Sequence, residues 1–361
     1  MRTLEQLREL LKAELHHLFA FRPSDRLWQM PIAAALATGL PLLVGAWFER
    51  MDYGLVSTLG GLVFLYLDDS PLDRRMVALM ACAFAIVASY TLGALSQLFA
   101  PAIVPALTVV AILVTMGCRY YGVGPPGSLF FVMVAAIGAY TPRPVEQLPT
   151  AVGLIALGAL LACIIAFVYS VHTLRLRPSS PVTPTAPPTF DHVISDSVVI
   201  GGCVGISLAL AQLFQLERPY WVPVSCLAVI HGTSLRAVWN RQLQRIVGTG
   251  IGLLVTWAIF LLPLTPWTMS LTMMVLTLVI ETMVVRHYTF AAVFITPLTI
   301  LLAEAATLGT GSPTPIMQAR FVDTLLGCAV GLAGGACLHN AAFRESVGRA
   351  LRRLVPLRLR D

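Results

Sequence analysis

Two arginines stand beside aromatic rings at related places in this chain. Arg119 is followed by Tyr120 and Tyr121, and Arg286 by His287 and Tyr288. A guanidinium is a planar fork that pairs with a carboxylate through two parallel hydrogen bonds. Rings beside it offer flat faces to an aromatic body. Each arginine precedes a short apolar segment, and a helix N-terminus there adds free N–H groups and the positive end of its dipole. These groups suit a small organic anion. They equally suit topology-setting cations beside an interfacial aromatic belt. His231 and Glu281 sit near the ends of two other apolar segments, where ionisable groups mark proton or ion pathways.

Two further patterns match each other, Arg245-x-x-Gly248-Thr249-x-x-Gly252 and Arg320-x-x-Asp323-Thr324-x-x-Gly327. Small residues every three to four positions make a face for close helix packing, so both patterns read as architectural. Arg320 and Asp323, at i and i+3, are placed for a local ion pair. Asp68-Asp69-x-x-x-Asp73 raises a rival chemistry, since intramembrane prenyltransferases hold magnesium diphosphate on acidic clusters. Two clusters are expected there, and the matching later stretch runs His231-Gly232-Thr233-Ser234-Leu235-Arg236. There is no HExxH, GxSxG or phosphate-loop pattern. The expectation is a non-enzyme with no cofactor or metal and no nucleic-acid partner. The seven cysteines lie in apolar stretches without metal-ligand spacing, and read as small apolar helix residues.

The elements that must position these groups follow from composition. Of 361 residues, 57% are hydrophobic and 12% charged, with a mean hydropathy of +0.80. A soluble domain needs about twice that share of charge. Ten-residue alternation, the mark of an outer-membrane barrel, is absent. The sequence predicts an all-α polytopic membrane protein. Twelve apolar segments fall near 28–48, 53–67, 76–99, 102–118, 125–140, 148–171, 193–215, 220–233, 245–262, 267–285, 289–305 and 321–340. Residues 1–26 carry leucines at helical spacing and predict a cytoplasmic amphipathic helix rather than a signal peptide. The predicted units are 27–174 and 192–341, joined by a Pro-rich linker over 175–191 and followed by a basic tail over 342–361.

With the N-terminus placed in the cytoplasm, 20 of the 24 basic residues fall on the cytoplasmic side. The other four are Arg50, Arg143, Arg218 and Arg320. The expectation is a bacterial inner-membrane protein with both termini inside. Arg119 and Arg286 are 167 apart, Glu49-Arg50 and Glu217-Arg218 are 168 apart, and Gly158 and Gly327 are 169 apart. That near-constant offset predicts a duplication into two parallel six-helix repeats. The Arg245 and Arg320 patterns open the third helices of two successive triplets, so each repeat is read as an inverted 3+3. Near Arg75 and Ala151 the first half lacks the pattern. Segments 2, 5, 8 and 11 are short, and segment 11 is expected to be broken by Pro297. Short helices at matching places in repeats point to a transporter binding site.

Tyr220-Trp221-Val222-Pro223, followed by the Arg245 and Arg320 patterns, resembles the fusaric acid resistance protein family, which includes bacterial aromatic acid exporters. More distantly it resembles the plant aluminium-activated malate transporters, six-helix anion channels that pair as dimers. The likeness covers about residues 195–340. It implies proton-driven export of organic anions, aromatic carboxylic acids in the first place, with a passive anion channel as the alternative. The implied partners are the anion and the lipid bilayer. The expected assembly is a monomer acting as a pseudo-dimer, or a homo-oligomer. The larger exporters carry a long soluble segment between their halves, which this chain replaces with a short linker, so a periplasmic adaptor stays open. The expected site is a cytoplasm-facing vestibule at the starts of segments 5 and 11 and the ends of 2 and 8. Arg119, Arg286, Tyr120, Tyr121, His287, Tyr288 and His231 would bind substrate there, with Glu281 and His231 as proton-coupling candidates.

Overall fold

A computed structural model describes residues 23–178, 189–304 and 314–354. The predicted N-terminal amphipathic helix, most of the linker and the last tail residues lie outside them. Among the described residues the chain is all helix, and its α-helices up to residue 339 fall within the twelve predicted apolar segments or overlap them. In chain order they are α1 (Gln29–Trp47), α2 (Met51–Gly61, continued by a 3-10 turn over Leu62–Tyr66), α3 (Leu72–Ser96), α4 (Ile103–Tyr120), α5 (Leu129–Tyr140) and α6 (Leu148–Leu174). There follow α7 (Asp196–Leu213), α8 (Trp221–Ile230), α9 (Leu235–Phe260), α10 (Pro266–Met283), α11 (Tyr288–Glu304), α12 (Thr314–His339) and α13 (Ala341–Leu354). Among the described residues, eight helices are long and apolar enough to cross a membrane, and the shorter apolar ones are α2, α5, α8 and α11.

The short helices lie inside. All ten residues of α8 are buried. The long helices instead turn large apolar side chains outward, such as Phe84 on α3, Leu160 on α6 and Leu254 on α9. A surface of this kind is covered by lipid rather than water.

Glycines set how closely the short helices approach their long neighbours. A Cβ on Gly158 of α6 would collide with the Ser57 carbonyl of α2, and one on Gly327 of α12 with the Val222 carbonyl of α8. Gly93 of α3 meets Ala135 of α5, and Gly248 of α9 meets Ala292 of α11. The pairing therefore recurs: α2 on α6 and α3 on α5, then α8 on α12 and α9 on α11. The remaining large contacts recur as well, α1 with α2 and α6, then α7 with α8 and α12. Two seams link the first six helices to the second six, α4 against α7 and α10 against α1.

Three expectations need correction. Arg245 does not open its helix. Ser234 caps α9 by accepting from the Ala237 amide, so the helix starts well before Arg245, which is buried inside it. Arg320 is likewise a buried residue inside α12, not a loop residue. Pro297 does not break α11, which runs through it. Proline leaves the carbonyl four residues earlier without its helical donor. That carbonyl, on Val293, abuts Gly252 of α9, where a Cβ would sit 2.5 Å away. With no Cβ at Gly252, the α9 backbone packs against that carbonyl and shelters it. Pro41 repeats the device in α1, because its freed Ala37 carbonyl abuts Gly61 of α2, again 2.5 Å from a would-be Cβ. The described part of the tail, α13, is a regular helix.

Candidate functional site

The ends of three short helices meet at one end of the bundle. The Tyr66 hydroxyl, closing the 3-10 turn after α2, donates to the Gly127 carbonyl just before α5 at 2.8 Å. Ser128, buried before α5, lies 3.4 Å from Nε2 of His231, which follows α8. His231 Nδ1 is 2.8 Å from the Leu227 carbonyl. A carbonyl only accepts, so Nδ1 carries a hydrogen, and whenever the ring is neutral Nε2 is left to accept from Ser128. At the start of α11, the Arg241 guanidinium of α9 lies 5.7 Å from the Tyr288 ring centroid. His287 is buried, and its Nδ1 accepts from the Phe290 amide, capping α11.

Arg119 and Arg286 behave differently. Arg286 is exposed. Arg119 already has a carboxylate: its Nη1 lies 2.9 Å from Asp196 Oδ2 at the start of α7, and also donates to the His192 carbonyl at 3.0 Å. Arg344 of α13 approaches the other Asp196 oxygen at 3.3 Å. Tyr120 and Tyr121 are exposed and touch each other edge to face, 5.1 Å between centroids. Glu281 is buried and bound by Arg26 at 3.2 Å. So each seam carries an arginine–carboxylate pair across it at this end. Arginine comes from α4 in the first pair, and from the segment before α1 in the second. Nothing in the local sequence flagged Asp196, because its partner is 77 residues away.

Asp68, Asp69 and Asp73 do not gather around a metal position. Among the described residues no three His, Cys, Asp or Glu side chains do. Asp68 accepts from the Ser70 hydroxyl at 2.7 Å. Asp68 and Asp69 line a cleft of about 300 Å³ together with Arg26, Arg75 and Arg177.

Deeper in the second half, the Arg320 guanidinium stacks on the Trp221 ring at 3.9 Å and its Nη2 reaches Thr299 Oγ1 at 3.4 Å. The local pair with Asp323 is not made, because the guanidinium turns to α8 and α11 instead. Nε of Arg245 and Oγ1 of Thr249 are buried without hydrogen-bond partners, and Thr324 donates back to the Arg320 carbonyl at 2.8 Å.

The family likeness falls in this half of the chain. Residues 206–334 match the fusaric acid resistance protein-like family. That stretch runs from within α7 almost to the end of α12. An uncharacterized membrane protein of Bacillus subtilis, YvaC, is 29% identical over 157 residues, which is 42% of this chain and 25% of the relative. The chain thus aligns with about a quarter of that relative's length. No solved structure matches. Multi-pass membrane insertion follows from the family match, the relative and the apolar helices together.

Proposed function

We propose that this protein is a secondary exporter of small organic anions, aromatic carboxylic acids in the first place, driven by the proton gradient. It lies in a bacterial inner membrane with both termini in the cytoplasm. Its twelve helices act as two parallel six-helix repeats over 27–174 and 192–341, each an inverted 3+3, so one chain is a pseudo-dimer. The recurrence of helix pairs and the two equivalent seams support the duplication. The family match over 206–334 supports transport.

The observation that carries the site is the meeting of short-helix ends from both halves, Tyr66 with Gly127 and Ser128 with His231. Helix ends left inside a membrane protein expose backbone groups that an anion can use. Arg286 offers an exposed fork at the mouth. Arg119 exchanges Asp196 for the substrate carboxylate, which opens the α4–α7 seam as substrate loads. Tyr121 and Tyr288 supply ring faces.

Export of a panel of acids, beginning with benzoate, from proteoliposomes tests the reading. Arg286→Lys and Arg286→Gln should both cut benzoate flux about tenfold or more while the protein still inserts, since one charge-assisted hydrogen bond is worth about 1.5–3 kcal/mol. Wild-type flux by the lysine variant would reduce Arg286 to a topology marker. Cysteines placed at Arg143 and Arg177, in a background free of native cysteines, should label from opposite sides. Labelling from one side would refute the orientation.

A further inference from the structure

Asp323 is fully buried, and neither of its carboxyl oxygens has a hydrogen-bond partner. An ionised carboxylate held like that, without donors, is strongly disfavoured. Its natural cation is one helical turn away, yet Arg320 is engaged elsewhere, on Trp221 of α8 and Thr299 of α11. Nε and Nη1 of Arg320 also lack partners. A carboxyl and a guanidinium one turn apart, each incompletely satisfied and not paired here, have the spacing for a second arrangement in which they pair.

Asp323 also has a route to water. It lines a cleft of about 230 Å³ with Gln215 and Glu217 from the turn before α8 and with Pro315, Gln318 and Val322 from α12. Arg320 on its own helix and Glu217 and Arg218 from the turn face it electrostatically. Tyr220 before α8 and Arg245 of α9 face Arg320 in turn, and α11 contributes the Thr299 hydroxyl.

We propose that Asp323 is the proton-binding group of this protein, loaded through this cleft, and that Arg320 changes partner with its charge. With Asp323 protonated, Arg320 rests on Trp221 and Thr299, as here. When the Asp323 O–H bond breaks, the proton passes to water in the cleft and the electron pair stays on the carboxylate. The carboxylate then draws the guanidinium into the pair that i, i+3 spacing allows. Contacts to α8 and α11, the two short helices of this half, are released together. Protonation is thereby tied to the elements whose ends form the candidate anion site. The inference deepens the transport reading and rests on it for its purpose, but the proton site itself is testable without substrate.

Dicyclohexylcarbodiimide reacts with protonated carboxyls in apolar surroundings. The full chain in nanodiscs is treated at pH 6 and at pH 9, and the adduct on Asp323 is quantified by mass spectrometry. Wild type should carry about tenfold more adduct at pH 6, one decade of occupancy being about 1.4 kcal/mol. Arg320→Gln removes the cation that favours the ionised form, so its labelling should persist at pH 9. Glu217→Gln should keep the Asp323 adduct, and Asp323→Asn should lose it. Labelling of wild type that ignores pH, or adduct on Glu217 alone in folded protein, would overturn the proposal. If Asp323 titrates as expected while no acid is transported, the transport reading fails and this site stands.

Discussion

Two places in the molecule combine an arginine, an aromatic ring and an aspartate. Before α2, the Arg50 guanidinium lies 3.6 Å over the Tyr53 ring and donates to both Asp52 oxygens, at 3.2 and 3.1 Å. Its side chains are about half exposed, at 50% and 55%. In α12 and α8, Arg320 has its ring, Trp221, but not its carboxylate, and Arg320 and Asp323 are both buried. Water lets the first set satisfy every group at little consequence, since exposed pairs contribute little. Burial makes the second set costly in either arrangement, so a change of partner there has structural effect. The proposed duplication sharpens the contrast. At the corresponding places α6 carries Ala151, buried, and Leu154, so only the second half holds the charged pair.

Converting the second half to the first separates architecture from function most strongly. Arg320→Ala with Asp323→Leu makes α12 resemble α6, and apolar replacement of buried charges is often neutral or stabilising by about 1–4 kcal/mol. The double variant should therefore unfold no earlier than wild type and yet accumulate no substrate. A stable double variant with full transport would return both residues to packing. Removing Arg320 alone is different: Arg320→Gln should cost about 2 kcal/mol in a thermal or denaturant series, because the buried stacking of the guanidinium on Trp221 is lost. Arg50→Gln should leave the thermal midpoint unchanged.

Helix contacts shared by the halves come next. Gly252→Ala pushes a methyl into the Val293 carbonyl and should destabilise by about 1–3 kcal/mol. Pro297→Ala should change stability by less than about 1 kcal/mol, since the freed carbonyl is already sheltered. An equal loss for the two would mean the glycine and proline are unrelated. At the seams, a double-mutant cycle on Arg119 and Asp196 should give about 1.5–3 kcal/mol of coupling. Arg26 and Glu281 should give less, because Arg26 is 34% exposed. Equal coupling at the two seams would remove that distinction.

Much of the fold was legible because lipid imposes a blunt rule: long apolar runs must be helices. Segments 2, 5, 8 and 11 were recognisably short, and α2, α5, α8 and α11 are the shorter apolar helices. Charge misled at the boundaries. Arg245 and Arg320 look like residues at a membrane surface, where charge is cheap, but they sit inside α9 and α12. Ser234, a good N-cap, was the signal that α9 starts earlier. Pro297 misled because a helix break is decided by what the neighbour offers, and Gly252 lies 45 residues away. The site was only partly legible. His231 meets the start of α5. The Arg119 partner, Asp196, stands on another helix with no local motif. Spacing placed Arg320 beside Asp323, but it could not show Trp221 and Thr299 competing for the guanidinium.

The central claim is proton-driven accumulation of an organic anion through Asp323. Proteoliposomes carrying the full chain, with an imposed pH gradient and radiolabelled benzoate on the loading side, measure it directly. Wild type should concentrate benzoate above its electrochemical equilibrium and stop when the gradient is collapsed. Asp323→Asn should only equilibrate it. Equilibration without accumulation by wild type would make the protein a passive anion channel, and accumulation by Asp323→Asn equal to wild type would place proton coupling elsewhere.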